Sequence, residues 1–284
     1  MVLSMRPDIE KIISGRCQKH DGIWMAMAND QISYPESANA ECRQIEEQSY
    51  WFQHRNSVIT SLLAQYASHD NTSFFLDIGG GNGFQSKAIQ DMGLTTVLLE
   101  PGFTGCLNAK SRGVKAIIHA TLETSGLQEK SIPMAGAFDV VEHIEDESQF
   151  LGGLFTKLKP DGLFFMTVPA LSILWSDEDS HAGHFRRYTI KSACDTLATQ
   201  GFKIEFASYI FKPLVLPIFL LRTAPHRLGI SKGANVQKTT KQHSLPDNVA
   251  GRLVRRGLKK ELKLIQSTRK QRIGTSVVIV ARKP

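Results

Sequence analysis

Phe74-Phe75-Leu76-Asp77-Ile78-Gly79-Gly80-Gly81-Asn82-Gly83-Phe84 is an apolar run that ends in a carboxylate and then gives up its side chains. Phe74 to Ile78 reads as a strand buried on both faces, as parallel sheets require. The glycines permit positive φ and let backbone lie directly against a ligand, and Gln85 to Met92 reads as a helix whose first amides face that ligand. The stretch is therefore a nucleotide-binding turn. Its spacing, Asp77-x-Gly79-x-Gly81-x-Gly83, departs from the dinucleotide fingerprint G-x-G-x-x-G, which counted from Gly79 would demand glycine where Phe84 stands. A frame on Gly81, Gly83 and Ser86 fits more poorly. Glu100 closes the next apolar run, Thr96 to Leu99, so a second parallel strand delivers a carboxylate beside the first turn, where it can accept both hydroxyls of a ribose. A solvated strand-end glutamate is the plainer reading of the same residue.

Working outward, Ile45 to Ala67 has a helical apolar face through Phe52, Ile59, Leu62 and Leu63. Gly105 to Arg112 reads as a crossover helix, Val114 to Ile118 as the third strand and Met134 to Val141 as the fourth. Gln149 to Lys159 reads as a helix, Leu163 to Val168 as the fifth strand, Phe202 to Tyr209 as the sixth and Thr275 to Ala281 as the seventh. Asp139, Glu142 and His143 lie at the carboxyl end of a central strand, where open parallel sheets bind ligands. His143 can serve as general base, or it caps the following helix with Glu142. Trp175 to Tyr188 collects acids, His181, His184, Arg186, Arg187 and Tyr188 between a strand end and a helix start, forming a polar lid. Within it His181, His184, Arg186 and Tyr188 are candidates for acceptor contact, and ion pairing among themselves is the competing use.

Five motifs carry a family resemblance: LDIGGGNG (76–83), LLEPG (98–102), FDVVEHIED (138–146), LKPDGLFFMTVPA (158–170) and AGHFRRYT (182–189). They resemble class I S-adenosylmethionine-dependent methyltransferases, and most of all a bacterial branch that accompanies saccharide and cell-envelope biosynthesis. The resemblance covers roughly 51–209 and the last strand. It implies a Rossmann-like α/β fold with a seven-stranded, mostly parallel sheet, an antiparallel last strand, helices on both faces, an N-terminal cap and a helical insertion before strand seven. It implies S-adenosyl-L-methionine as cofactor, held by Asp77, Gly79, Gly81, Gly83, Glu100, Asp139, Thr121 and Leu122, the last two on position alone. His143, His181 and His184 are the catalytic candidates, and Trp51, His54, Arg186 and Tyr188 the substrate-binding ones. No metal is expected on the leading reading. The alternative is that Asp139, Glu142 and His143 are similar to the E-x-x-E-H triplet with which ubiquinone-biosynthesis O-methyltransferases hold a hard divalent cation.

The expected organisation is an arm or cap over 1–50, a core over 51–209, a basic helical insertion over 210–273 and the last strand and tail over 274–284. Within the arm, a short helix near Ile9 to Ser14 is expected in otherwise extended chain. Cys17, His20 and Cys42 lack a second close pair and make a poor zinc set. The four cysteines form no CxxC, the start lacks a signal-peptide pattern and no apolar stretch reaches the ~18 residues of a membrane span, so a cytoplasmic enzyme is expected. The insertion joins a Pro-broken apolar segment, Ile210 to Leu221, to a basic helix over Val249 to Gln271, a pairing suited to an anionic membrane face or to a cap on the sheet. That helix has no aromatics interleaved with its cations, which argues against nucleic acid as partner. The expected reaction is methyl transfer to an oxygen of a small-molecule or lipid-linked saccharide acceptor. A nicotinamide-dependent oxidoreductase and a degenerate, non-catalytic binding module are the alternatives.

Overall fold

The computed structural model describes residues 9–13, 15–27, 42–43, 45–67, 74–230 and 244–284. Expectations that fall on Ser14, on most of the arm from 28 to 41 and on the loop over 231–243 lie outside the described residues.

Among the described residues nine strands form one sheet: β1 (Cys17–His20), β2 (Ile23–Ala26), β3 (Phe74–Ile78), β4 (Thr95–Glu100), β5 (Ala116–His119), β6 (Ile132–Phe138), β7 (Leu158–Pro169), β8 (Lys203–Ile210) and β9 (Ser276–Arg282). Their spatial order is β1-β2-β5-β4-β3-β6-β7-β9-β8. Neighbours from β2 to β7 run parallel, and β9 lies antiparallel between β7 and β8. The seven strands expected from sequence are all present, but the sheet is larger by two. Asp21 and Gly22 both take positive φ, the geometry of a tight two-residue hairpin loop, and so fold Cys17–Ala26 into a β1–β2 hairpin where extended arm was expected. Trp24 and Met25 then pair with Ile118 and His119 and extend the sheet edge. Pro133, which has no N–H for the ladder, sits at a register shift in β6.

Alternation along β3 decides the layers. Phe74, Leu76 and Ile78 join an apolar cluster on one face with Phe150, Leu154, Ala193 and Leu197, whereas Phe75 joins the opposite cluster. That second face is covered by α1 (Tyr50–Tyr66) and by the distant α7 (Val249–Gln266), with Leu62, Leu63, Leu258 and Ile265 buried between them. The other helices of six or more residues among the described residues are α2 (Phe84–Asp91), α3 (Phe103–Ser111), α4 (Glu147–Lys157), α5 (Asp177–Ala182) and α6 (Ile190–Thr199), with single helical turns at Ile9–Ile12, Val215–Ile218 and Ala224–Arg227.

Glu261 is the single acid of the basic α7, and it is buried. Its carboxylate accepts hydrogen bonds from the amides of Phe211 and Lys212, 2.6 and 2.9 Å away, and from Gln271, and it pairs with His54 at 2.9 Å. One side chain thus ties α7, α1 and the start of the insertion together. Removing one partner of a buried charged network leaves the others desolvated and unmatched, so Glu261→Ala is expected to lower unfolding stability by about 3 kcal/mol in denaturant titration. A loss below about 1 kcal/mol would mean that water replaces the carboxylate at no cost.

Candidate active site

The chain runs from β3 outward to β4 and β5 and then crosses back to β6 on the other side of β3, making a switch point at the carboxyl ends of these strands. A cavity of about 830 Å³ opens there, lined by Gly79 to Asn82, Glu100, Thr121 and Leu122 and also by Tyr50, Trp51, His143, His184 and Arg222. Its volume suits a cofactor-sized ligand.

The glycine turn is built for close approach. Gly79 has φ +64° and donates its N–H to the Leu99 carbonyl, and a Cβ there would lie 2.8 Å from a Val140 methyl. Gly83 starts α2 in a left-handed conformation, pressed against Ala109 and Val114. Asp77 is buried beneath the loop and accepts a 2.5 Å hydrogen bond from the Ser86 hydroxyl, and burial raises its pKa to about 6. Glu100 accepts from the amides of Gly81 and Gly102, both at 2.8 Å, so the strand-end carboxylate holds the glycine turn as well as lining the cavity. A backbone cradle with a carboxylate one strand over fits an adenosyl cofactor.

Asp139 stands at the end of β6 with φ +57° and is engaged twice, accepting from Arg55 at 2.5 Å and from the Thr167 hydroxyl at 2.9 Å. Arg55, one helical turn after Trp51, lines the cavity; the sequence places it in the cap but not among the site candidates, although the i, i+4 spacing puts the two on one face. Asp139 lines the cavity too, but as the anchor of that arginine.

Glu142, His143 and His184 meet at the cavity wall, their donor atoms within 4.8 Å of one another. Burial and the neighbouring Asp139 push the Glu142 carboxyl well above the usual range. Burial, then His184, holds His143 down at about 4, so its imidazole is neutral and a weak proton acceptor. The His184 ring lies edge-on to that of His143 at 4.7 Å and bonds Asp179 through Nδ1 at 2.9 Å. Asp179 also takes a two-armed contact from Arg187, at 2.7 and 3.0 Å, and its carboxyl is held at about 2, burial being outweighed by His184 and Arg187.

Other candidates are placed elsewhere. His54 is buried against Glu261 and Phe211, because its position on α1 faces α7 and not the sheet edge. Arg186 spends its guanidinium on the carbonyls of Ile144 and Glu145, clamping the lid to the turn after β6. Tyr188 is buried with its hydroxyl on Glu147, and His181 is exposed; neither lines the cavity. Trp51 does line it, stacked on Phe211 at 3.9 Å. Tyr50 and Arg222 were missed. Arg222 is the one cation between Leu214 and Thr223, and a lone charge inside an apolar run was the available signal.

The methyltransferase-domain family matches residues 51–205, more than half of the chain. The chain belongs to this methyltransferase family. S-adenosylmethionine, the cofactor that the sequence motifs imply, is the one named for proteins similar to this chain. A protein of Mycolicibacterium smegmatis named as a probable S-adenosylmethionine-dependent methyltransferase is 25% identical over 170 residues, 59% of this chain and 65% of that protein. A ubiquinone biosynthesis O-methyltransferase of Paramagnetospirillum magneticum is 29% identical over 93 residues, 31% of this chain and 37% of its own length. This chain therefore spans less than two thirds of the curated relatives it matches. Among solved structures, phosphoethanolamine N-methyltransferase 2 of Haemonchus contortus with bound S-adenosyl-L-methionine has a TM-score of 0.56 at 18% identity, over 90% of this chain and 59% of that one. That likeness is one of fold.

Proposed function

We propose that this methyltransferase acts on an oxygen of an amphiphilic, lipid-linked acceptor, with a lipid-linked saccharide as the first candidate, at an anionic membrane face. The observation that carries this reading is that the insertion lends Ile218 and Arg222 to the cavity wall while its outer surface is apolar and cationic. Residues 210–270 hold 14 Lys and Arg against two Asp and Glu, a net +12 in a chain of net +7, so the remainder is acidic at −5. On the same insertion Leu216, Leu220, Leu221, Val249 and Leu253 are exposed. Apolar side chains beside segregated cations suit the boundary of an anionic bilayer. No helix among the described residues is long and apolar enough to cross one. The O-methyltransferase relative supports oxygen as the acceptor atom.

When bound, S-adenosylmethionine supplies an electrophilic methyl whose S–C bond breaks as the O–C bond to the acceptor forms, leaving S-adenosylhomocysteine and a released proton. The chain's part is alignment and exclusion of water. Gly79 to Gly81 and Glu100 hold the adenosyl end. Tyr50, Trp51 and Arg222 orient the acceptor, and the lid, fastened by Arg186 and Arg187, brings His184 against His143.

The test is transfer of labelled methyl into fractionated membranes and cytosol, with His143→Ala in parallel. Label is expected in the lipid extract, and His143→Ala is expected to lower turnover far more than affinity for S-adenosylhomocysteine, which stays close to the wild-type value. Label confined to soluble small molecules would overturn the lipid-linked acceptor. Cofactor binding with no labelled product in any fraction would return the protein to the class of binding modules.

A further inference from the structure

Glu142 is 1% exposed, and neither of its carboxylate oxygens has a hydrogen-bond partner among the described residues. A buried carboxyl in that position demands an explanation, because burying a polar group without a partner is unfavourable whether it is charged or neutral. Its neighbours are two imidazoles, those of His184 and His143. His184 bonds buried Asp179 through Nδ1, which turns Nε2 toward the cluster, and Arg187 braces Asp179 from its other side. The backbone of Ala182 and Gly183 lies close to the His143 ring. A carboxylate behind an imidazole, as Asp179 stands behind His184, is an arrangement that orients metal-ligating histidines.

We propose that Glu142, His143 and His184 bind a divalent first-row transition ion, of the zinc or manganese kind, in the wall of the cavity. This set replaces the triplet Asp139, Glu142 and His143 suggested by sequence: Asp139 is committed to Arg55 and Thr167, and the third ligand comes from the lid, 41 residues after His143. Exchanging a carboxylate for an imidazole changes the metal as well, since two nitrogens and one carboxylate favour transition ions over Mg²⁺, which prefers oxygen donors and retained waters. The three donor atoms lie within 4.8 Å of one another, against about 3.5 Å between donors of a tetrahedral site with bonds of about 2.0–2.2 Å, so binding an ion draws them together by about an ångström. A cation here would lower the pKa of an acceptor hydroxyl. His184 lies in the lid just past the end of α5, so metal binding also fastens the lid to the turn after β6.

Metal uptake is read apart from methyl transfer, so failure here leaves the acceptor reading untouched. The full-length protein, stripped with a chelator, is titrated calorimetrically with Zn²⁺, Co²⁺ and Mg²⁺, and the Co²⁺ complex is read by its visible ligand-field absorption. One equivalent of Zn²⁺ or Co²⁺ is expected to bind at least about 100-fold more tightly than Mg²⁺. The isosteric Glu142→Gln and, independently, His184→Ala are each expected to weaken Co²⁺ binding by more than tenfold and to change its spectrum, with circular dichroism retained. Asp139→Asn is expected to leave the spectrum unchanged. Three results overturn the proposal: no uptake by the wild type, uptake indifferent to both Glu142→Gln and His184→Ala, or a preference for Mg²⁺. An infrared band of a protonated carboxyl that persists with Zn²⁺ present and vanishes in Glu142→Gln would also overturn it, making Glu142 a neutral hydrogen-bond donor.

Discussion

Gly81→Val is expected to raise the dissociation constant for S-adenosylhomocysteine by more than about 100-fold, close to 3 kcal/mol, in calorimetry. Gly81 has φ +52°, a region that β-branched residues almost never occupy, and the strain of holding one there is about 1–3 kcal/mol. Relief would require the peptide to turn, and the Gly81 amide is what Glu100 holds at 2.8 Å. Turning it therefore releases the carboxylate that lines the cavity, and a branched side chain arrives where backbone should face the ligand. Gly81→Ala provides the graded control, strained but smaller, with a loss nearer tenfold. Unchanged affinity in the valine variant, with the fold intact by circular dichroism, would mean that the adenosyl group lies elsewhere.

Flotation with liposomes should separate wild type from a variant in which Arg252, Arg256, Lys259 and Lys260 become glutamine. These four side chains are exposed on α7, whereas Arg255 is partly engaged with Asp247, and their loss leaves the Glu261 staple untouched. Each cation near an anionic surface adds about 1 kcal/mol, so the variant is expected to lose at least tenfold in binding to anionic vesicles and to resemble wild type on neutral ones. High salt should erase the difference, since the screening length falls to about 3 Å at 1 M. Replacing Leu220 and Leu221 with aspartate tests the apolar half separately. Equal flotation of wild type and the glutamine variant on both membranes would leave the insertion as a cap, and preferential binding to RNA at the same salt would give the cations a different partner.

Local pattern carried the reading of the sheet. Strands buried on both faces announce themselves as apolar runs, and Phe74 to Ile78, Thr96 to Leu99 and Thr275 to Ala281 were each within a residue or two of the observed β3, β4 and β9. The β1–β2 hairpin was not read, because Gln18, Lys19 and His20 form a polar edge with no alternation to notice. Its Asp21-Gly22 turn was the only local sign.

What the sequence by itself determined is the part of the site whose residues are neighbours in the chain. Asp77, Gly79, Gly81 and Gly83 belong to one turn, and Glu100 follows at the end of the next strand, so backbone geometry alone brings them together. Tertiary structure alone decided which side chains face the acceptor end of the cavity. His54 and Arg55 are adjacent on one helix, yet a 100° turn sends the first to Glu261 and the second to Asp139. Arg186 and Arg187 likewise point apart, one clamping carbonyls and the other fixing Asp179 behind His184. Neither outcome is encoded locally, because each depends on a partner far along the chain that packing delivers: Glu261 lies 207 residues from His54.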